Sequence, residues 1–312
     1  MRDRELLVVC GPTATGKTRL GIELARRLGG EIVSADSMQV YRGMDIGTAK
    51  ATAEERAAAP HHMLDVAEPW ENYSAARYVE EAGRCCDDIF SRGKLPVLVG
   101  GTGLYIDSLI AGRAFSGAES DGALRERLSA EYDAVGGEAM REKLRAVDPE
   151  RAEKLAPGDK RRLVRALEVW ELTGKTLSEH DEESRRVPPR YGARRVVLTY
   201  ADRAELYARI DRRVDEMAAQ GLFEETQRLL DAGLSADCTA MQAIGYKEAA
   251  LALRGEIGRD EALALIKQAS RRYAKRQLTW FRRAEGALWI EWGAHPDYFS
   301  ALQRVLLWLE EE

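Results

Sequence analysis

Gly11, Pro12, Thr13, Ala14, Thr15, Gly16, Lys17 and Thr18 follow one another in the spacing G-x-x-x-x-G-K-[ST]. The chemistry such a run supports is the grip of a phosphate or diphosphate. Glycines let consecutive backbone N–H groups curl around phosphate oxygens, and the N-terminus of a following helix adds a positive dipole end. Lys17 supplies a point charge, and Thr18 a hydroxyl able to hold magnesium. A chance glycine-rich turn is the competing reading, and the context opposes it. The apolar run Leu6–Cys10 before the loop reads as a buried parallel strand. After it, Leu20, Leu24, Ala25 and Leu28 fall on one helical face. The motif reports phosphate rather than ATP. A nucleotide hydrolase would usually end a second apolar strand in a magnesium-binding acid, whereas Leu95–Val99 ends in Gly100-Gly101-Thr102.

A carboxylate follows the next strand-like run, Glu31–Ala35. In open α/β sheets ligands collect at the carboxyl ends of the strands, where Asp36 stands. Asp36 there serves as general base toward a hydroxyl or amine or holds a metal through water. A turn or helix-capping aspartate is an equally good use of the residue. Thr102 is a weaker candidate for orienting a nucleophile, with a turn or cap role in competition. Arg209 and Arg213 are four apart and share a helical face. Leu206, Ile210, Val214 and Met217 mark that helix's buried side. Either arginine, or Arg165, is a candidate to reach a diphosphate, against the alternative of a solvated or salt-bridged side chain.

Positive charge is concentrated although the chain is acidic overall, at net −5. Lys160–Arg165 holds four positive charges, Arg185–Arg195 five arginines and no acid, and Arg271–Arg283 six positive charges and no acid. Tyr273, Trp280 and Phe281 interleave the last run. Such clusters track phosphates, and aromatic side chains stack on unstacked bases. A solvated helix face is the commoner use of any one of them.

The elements that must position these residues alternate as strand and helix, which signals a doubly wound α/β core. A charged amphipathic helix is expected at Ala75–Phe90, and strands at Leu95–Val99 and Arg195–Tyr200. Gly112–Gly122 reads as a linker, Ala123–Glu183 as almost wholly helical, and Arg185–Gly192 as a second joint. The expected organisation is a core of residues 1–116 and 191–312 and a helical insertion of 117–190. Helical patterns fill 203–232, 240–254 and 259–284. A short strand is expected at Leu288–Trp292 and a closing helix at Ala301–Glu310. With 312 residues, 45% apolar and 32% charged, a sizeable core is expected and disorder is not. No apolar run is long enough to cross a bilayer, and Met-Arg-Asp-Arg-Glu does not resemble a secretory signal. A cytoplasmic protein is expected. The four cysteines, Cys10, Cys85, Cys86 and Cys238, lack zinc-like spacing and read as incidental thiols. His61 and His62 read as structural.

Taken together, these segments resemble the tRNA dimethylallyltransferase family. The resemblance rests on residues 11–18, Ser34-Ala-Asp-Ser-Met-Gln-Val-Tyr41, Gly43-Met-Asp-Ile-Gly-Thr-Ala-Lys50 and Pro60-His-His-Met-Leu-Asp65. It continues through Val99-Gly-Gly-Thr-Gly-Leu-Tyr105, Arg162-Leu-Val-Arg-Ala-Leu-Glu168, Gly174-Lys-Thr176, Ala243-Ile-Gly-Tyr-Lys-Glu248 and Tyr273-Ala-Lys-Arg-Gln-Leu-Thr-Trp-Phe-Arg282. Segments 113–160, 177–195 and the tail after 285 are least anchored by it. The resemblance implies a P-loop NTPase-like fold and a magnesium-assisted reaction. In it the exocyclic amine of the adenosine adjacent to the anticodon attacks dimethylallyl diphosphate. It implies Asp36 as base, Thr102 as its partner near the amine, and residues 11–18 on the diphosphate. It also implies tRNA contacts by Asp36, Ser37, Met38, Gln39, Thr102 and Arg125, and by Arg161, Arg162, Leu163, Val164 and Arg165. Gln242, Ala243, Ile244, Gly245, Tyr246 and Lys247 complete that set. A monomer is expected to act on the tRNA anticodon stem-loop. Three readings compete: a small-molecule kinase using Asp36 as base, prenylation of a free adenine nucleotide, and a non-catalytic RNA-binding module.

Overall fold

A computed structural model describes residues 4–113, 121–236 and 238–311. Residues 114–120, within the stretch read as a linker, and Met1–Asp3, within the stretch compared with secretory signals, lie outside the described residues. Two compact units form, one from Met1–Ile110 with Arg190–Glu312 and the other from Ala111–Pro189.

The first unit is built on six parallel strands: β1 (Glu5–Cys10), β2 (Glu31–Ser34), β3 (His61–His62), β4 (Pro96–Gly100), β5 (Gly192–Tyr200) and β6 (Leu288–Trp292). Their order is β3-β2-β4-β1-β5-β6, with every pair parallel. Leu6–Cys10 is fully buried, as expected of a central strand covered by helices on both faces. The chain leaves β1, crosses beyond β4 to β2, and later returns to β1's other side as β5. This reversal opens a crevice at the carboxyl edge. The turns after β1, β2 and β4 all open there, which is what brings the phosphate loop, Asp36 and Thr102 to one edge.

Helix Lys17–Leu28 packs Leu20, Leu24 and Ala25 against Val97 and Val99 of β4. It stops at Gly29, whose left-handed φ of 63° suits a residue without Cβ. The continuous helical pattern over 203–232 divides instead at Gly221, where φ is 106°. That backbone conformation ends helix Arg203–Gln220 and starts helix Leu222–Asp231, although the apolar period runs on through it. The pattern over 240–254 likewise resolves into a single 3-10 turn at Ala240–Gln242 and a helix at Tyr246–Leu253, hinged on Gly245 at φ 104°. Helix Ala53–Ala58 and the two-residue β3 are too short to leave a period in the sequence.

The second unit is a cluster of helices, Gly122–Arg145, Pro149–Lys154, Lys160–Thr173 and Leu177–Arg186. Leu128, Met140, Leu144, Leu163 and Leu167 form its core. Asp121, Asp148 and Thr176 cap three of the helix starts, Thr176 in a reciprocal box with Glu179. In the first unit the backbone N–H of Tyr191 donates to the Ile110 carbonyl at 3.2 Å, so the points where the chain leaves and rejoins the sheet touch. No helix among the described residues is long and apolar enough to cross a membrane.

Candidate active site

The phosphate loop is bent by positive φ at Gly11 (140°), Ala14 (63°) and Gly16 (79°). Gly11 is required twice over, because a Cβ there would fall 2.2 Å from the Leu198 carbonyl oxygen of β5. Ala14 is the non-glycine exception, and such strain concentrates at ligand-binding turns. Three contacts hold the loop's shape. Thr15 Oγ1 and Lys17 Nζ donate to the Pro12 carbonyl at 2.9 and 2.6 Å, and Trp292 Nε1 donates to the Thr15 carbonyl at 2.9 Å. Among the described residues the N–H groups of Ala14, Thr15 and Gly16 donate to no acceptor. An anion is the natural occupant of such a loop. Burial, reinforced by the charge of Arg213, pushes the Lys17 ammonium down to about 8.

Asp36 follows β2 and one buried residue, Ala35. Its Oδ1 accepts from the backbone N–H groups of Met38 (2.9 Å) and Gln39 (3.4 Å), so the turn use anticipated for aspartate is present. Only that oxygen is engaged among the described residues. Thr102 follows β4. Its Oγ1 accepts from the Ser37 N–H at 3.1 Å, and its own N–H donates to the Ala35 carbonyl at 3.1 Å, lacing the turns after β2 and β4 together.

A cavity of about 110 Å³ is lined by Gly16, Lys17 and Thr18 of the loop together with Asp36, Gln39, Arg213, Tyr273 and Gln277. The anion cradle and the carboxylate thus open into one space. A second cavity of about 280 Å³ lies on Asp36, Ser37 and Met38, walled by Gln242, Ala243, Ile244, Tyr273 and Arg276. A wider cleft of about 930 Å³ carries Thr18, Arg19, Arg56, Arg209 and Arg213. Ala14 and Arg213 line all three. Arg213 forms no ion pair among the described residues, and burial lowers its pKa, with Asp36 acting against that. Arg209 lines only the wide cleft. Met217, read as part of the buried face, is only partly covered and lines two cavities, whereas Leu206, Ile210 and Val214 are buried and the latter two line the roughly 280 Å³ cavity.

The remaining residues divide by unit. Arg165 and Arg125 both stand 3.0 Å from Oε2 of Glu168, a fully buried carboxylate of the second unit. Leu163 and Val164 belong to that unit's core, while Arg161 and Arg162 are exposed. In the first unit Tyr246 is fully buried and Lys247 exposed. His62 pairs with Glu31, and His61 Nδ1 meets the Ala59 carbonyl at 2.7 Å. Burial pushes the Cys10 and Cys86 thiols up to about 12.

Two residues passed unnoticed in the sequence. Glu225 is buried and accepts from the N–H groups of Asp45, Ile46 and Gly47 at 3.0–3.2 Å and from the Tyr246 hydroxyl at 2.5 Å. It thereby fixes the loop whose residues wall all three cavities. Gln277 is buried and joins the phosphate loop to the turn after β4. Its position inside the Tyr273–Arg282 motif was the one signal available.

Comparison with known proteins decides the family. Residues 39–284 match the IPP transferase family model, and residues 4–65 match that of isopentenyl transferase. The chain belongs to the IPP transferase family. This family member is 46% identical over 301 residues to a tRNA dimethylallyltransferase of Acetivibrio thermocellus, covering 96% of this chain and 95% of the relative. It is 50% identical over 296 residues to one of Geobacillus thermodenitrificans, covering 95% and 93%. Among solved structures, it resembles the tRNA isopentenylpyrophosphate transferase of Bacillus halodurans at TM-score 0.73 and 40% identity, covering 99% and 96%. It also resembles a eukaryotic dimethylallyltransferase solved acting on tRNA, at TM-score 0.82 and 29% identity, covering 97% and 78%. The P-loop NTPase-like core follows from these neighbours and the six-stranded parallel sheet.

Proposed function

We propose that this protein transfers a dimethylallyl group from dimethylallyl diphosphate to the exocyclic amine of the tRNA adenosine adjacent to the anticodon, releasing diphosphate. The observation that carries the reading is the single cavity shared by the phosphate loop and Asp36, in a chain nearly half identical along its whole length to named tRNA dimethylallyltransferases. That likeness favours transfer over the kinase alternative.

The donor's diphosphate sits in the loop, on the N–H groups of Ala14, Thr15 and Gly16, with Lys17 and Arg213 supplying charge. The adenine enters the roughly 280 Å³ cavity between Met38 and the Gln242–Ile244 turn, leaving its stack to do so. Its amine is a poor nucleophile because the lone pair is delocalised. As the new N–C bond forms, Asp36 takes the amine proton on its unengaged oxygen, which lowers the barrier. The C–O bond to diphosphate breaks at the same carbon, and the electron pair leaves with the diphosphate. Lys17, Arg213 and the loop amides stabilise that growing charge most in the transition state. Thr102 holds the Ser37 backbone and thus the Asp36 turn against the amine.

Magnesium fits the donor set present. The Thr18 hydroxyl has no side-chain hydrogen bond among the described residues, Thr18 lines the same cavity as Asp36, and no cluster of three or more acidic, histidine or cysteine side chains competes there among those residues. Thr18 would hold the ion, and the ion would neutralise leaving-group charge.

The experiment is incubation of the protein with unmodified tRNA, magnesium and donor, followed by weighing of the digested nucleosides. A five-carbon gain on one adenosine is expected. No gain, with ATP consumed against a small alcohol instead, would establish the kinase.

A further inference from the structure

Helix Arg259–Phe281 touches both halves of the site through one side chain. Gln277 Oε1 accepts from the Thr13 N–H of the phosphate loop at 2.9 Å, and Gln277 Nε2 donates to the Gly101 carbonyl, beside Thr102, at 2.9 Å. Only this orientation of the amide satisfies both partners. The fit is close, because a Cβ on Gly101 would fall 2.2 Å from Nε2. One turn earlier on the same face stands Tyr273, which lines both the phosphate-loop cavity and the cavity beside Met38. Tyr273 and Arg276 of this helix also wall the cavity assigned to the adenine. Its outer turns carry Arg272 and Lys275, both exposed.

We propose that Gln277 is the positioning residue that makes the donor and acceptor sites depend on one another. RNA settling on Tyr273 and Arg276 fixes the helix face, Gln277 with it, and through Gln277 the Thr13 amide and the Gly101–Thr102 turn. Diphosphate in the loop orders the same amide bridge from the other side. Each ligand therefore tightens the other by the same factor, as linkage requires. This inference rests on the reading of the two cavities given above.

The test is binding of inorganic pyrophosphate with magnesium, measured with and without an anticodon stem-loop RNA. Wild type is expected to bind pyrophosphate at least about fivefold more tightly when RNA is present. Gln277→Met, which keeps length but neither hydrogen bond, is expected to bind each ligand alone within about threefold of wild type, to reduce the mutual factor to about one, and to lower kcat. Gly101→Ala is expected to reproduce that loss, and the double variant to add nothing further. Gln277→Glu supplies a signature that a merely structural role would not. Its carboxylate accepts from Thr13 but repels the Gly101 carbonyl, and only the protonated acid can donate to it. Its turnover relative to wild type should rise as pH falls from about 8 to about 6, while that of Gln277→Met stays level. Retained coupling in Gln277→Met, absent coupling in wild type, or a flat relative profile for Gln277→Glu would each overturn the proposal. If wild type binds neither pyrophosphate nor RNA, it is the functional reading that fails.

Discussion

Asp36 divides its carboxylate between two tasks, one oxygen bound by the Met38 and Gln39 amides and the other facing the cavity. Asp36→Asn keeps the acceptor for the turn but cannot take a proton. Prenyl transfer should therefore fall by roughly 10²–10⁴-fold in Asp36→Asn and Asp36→Ala alike, with tRNA affinity nearly unchanged, as a filter-binding assay beside turnover would reveal. Lys17 gives a pH prediction. Its pKa, lowered to about 8, leaves it charged below that pH and neutral above, so the unliganded protein loses donor affinity as pH rises through about 8. The KM for donor should climb above that pH in wild type. In Lys17→Ala it should already be high by about 10–100-fold and insensitive to pH over that range, given the ~1.5–3 kcal/mol of a hydrogen bond to a charged group. Both residues were legible in the sequence because their signals are local: a fixed spacing, and an acid one residue past a strand. Gln277 and Glu225 were not, because their partners lie 264 and about 180 positions away and no periodicity records such a meeting.

At the scale of elements, the site depends on turns held by single buried acceptors. Glu225, on helix Leu222–Asp231, gathers three consecutive amides of the 45–47 turn and the Tyr246 hydroxyl. Glu225→Ala leaves those donors without a partner at about 1–3 kcal/mol each. A fall in Tm of about 10 °C or more is expected, at ~2–4 °C per kcal/mol for a chain near this size, together with a raised KM for both substrates. Gly11→Ala should be at least as damaging, since its Cβ meets backbone rather than a movable side chain. Pyrophosphate titration below each variant's own Tm, fixed by circular dichroism melts, separates the two, because Gly11→Ala should abolish that binding while still folded. The strands were readable as apolar runs of the right length. The breaks at Gly221 and Gly245 were not, because glycine within an amphipathic pattern does not announce its φ, and tertiary packing selects it.

For the molecule as a whole, an acidic protein is asked to bind a polyanion. The exposed pair Arg161 and Arg162 of the second unit and the basic turns of helix Arg259–Phe281 of the first are among the exposed cations of the described residues. Truncating Arg161 and Arg162 to alanine should weaken tRNA binding irrespective of sequence and reduce the slope of log K against log salt by about 0.7–0.9 for each phosphate no longer neutralised. Arg125 and Arg165 should be more costly to remove, since Glu168 would then remain buried with less compensation. The backbone hydrogen bond between Tyr191 and Ile110 has a last consequence. Where two ends of a detour meet, the detour is a cassette. Splicing Ile110 to Arg190 through a few glycines should leave a miniature protein that still melts cooperatively and still captures pyrophosphate, and the vacated junction becomes a socket for another module.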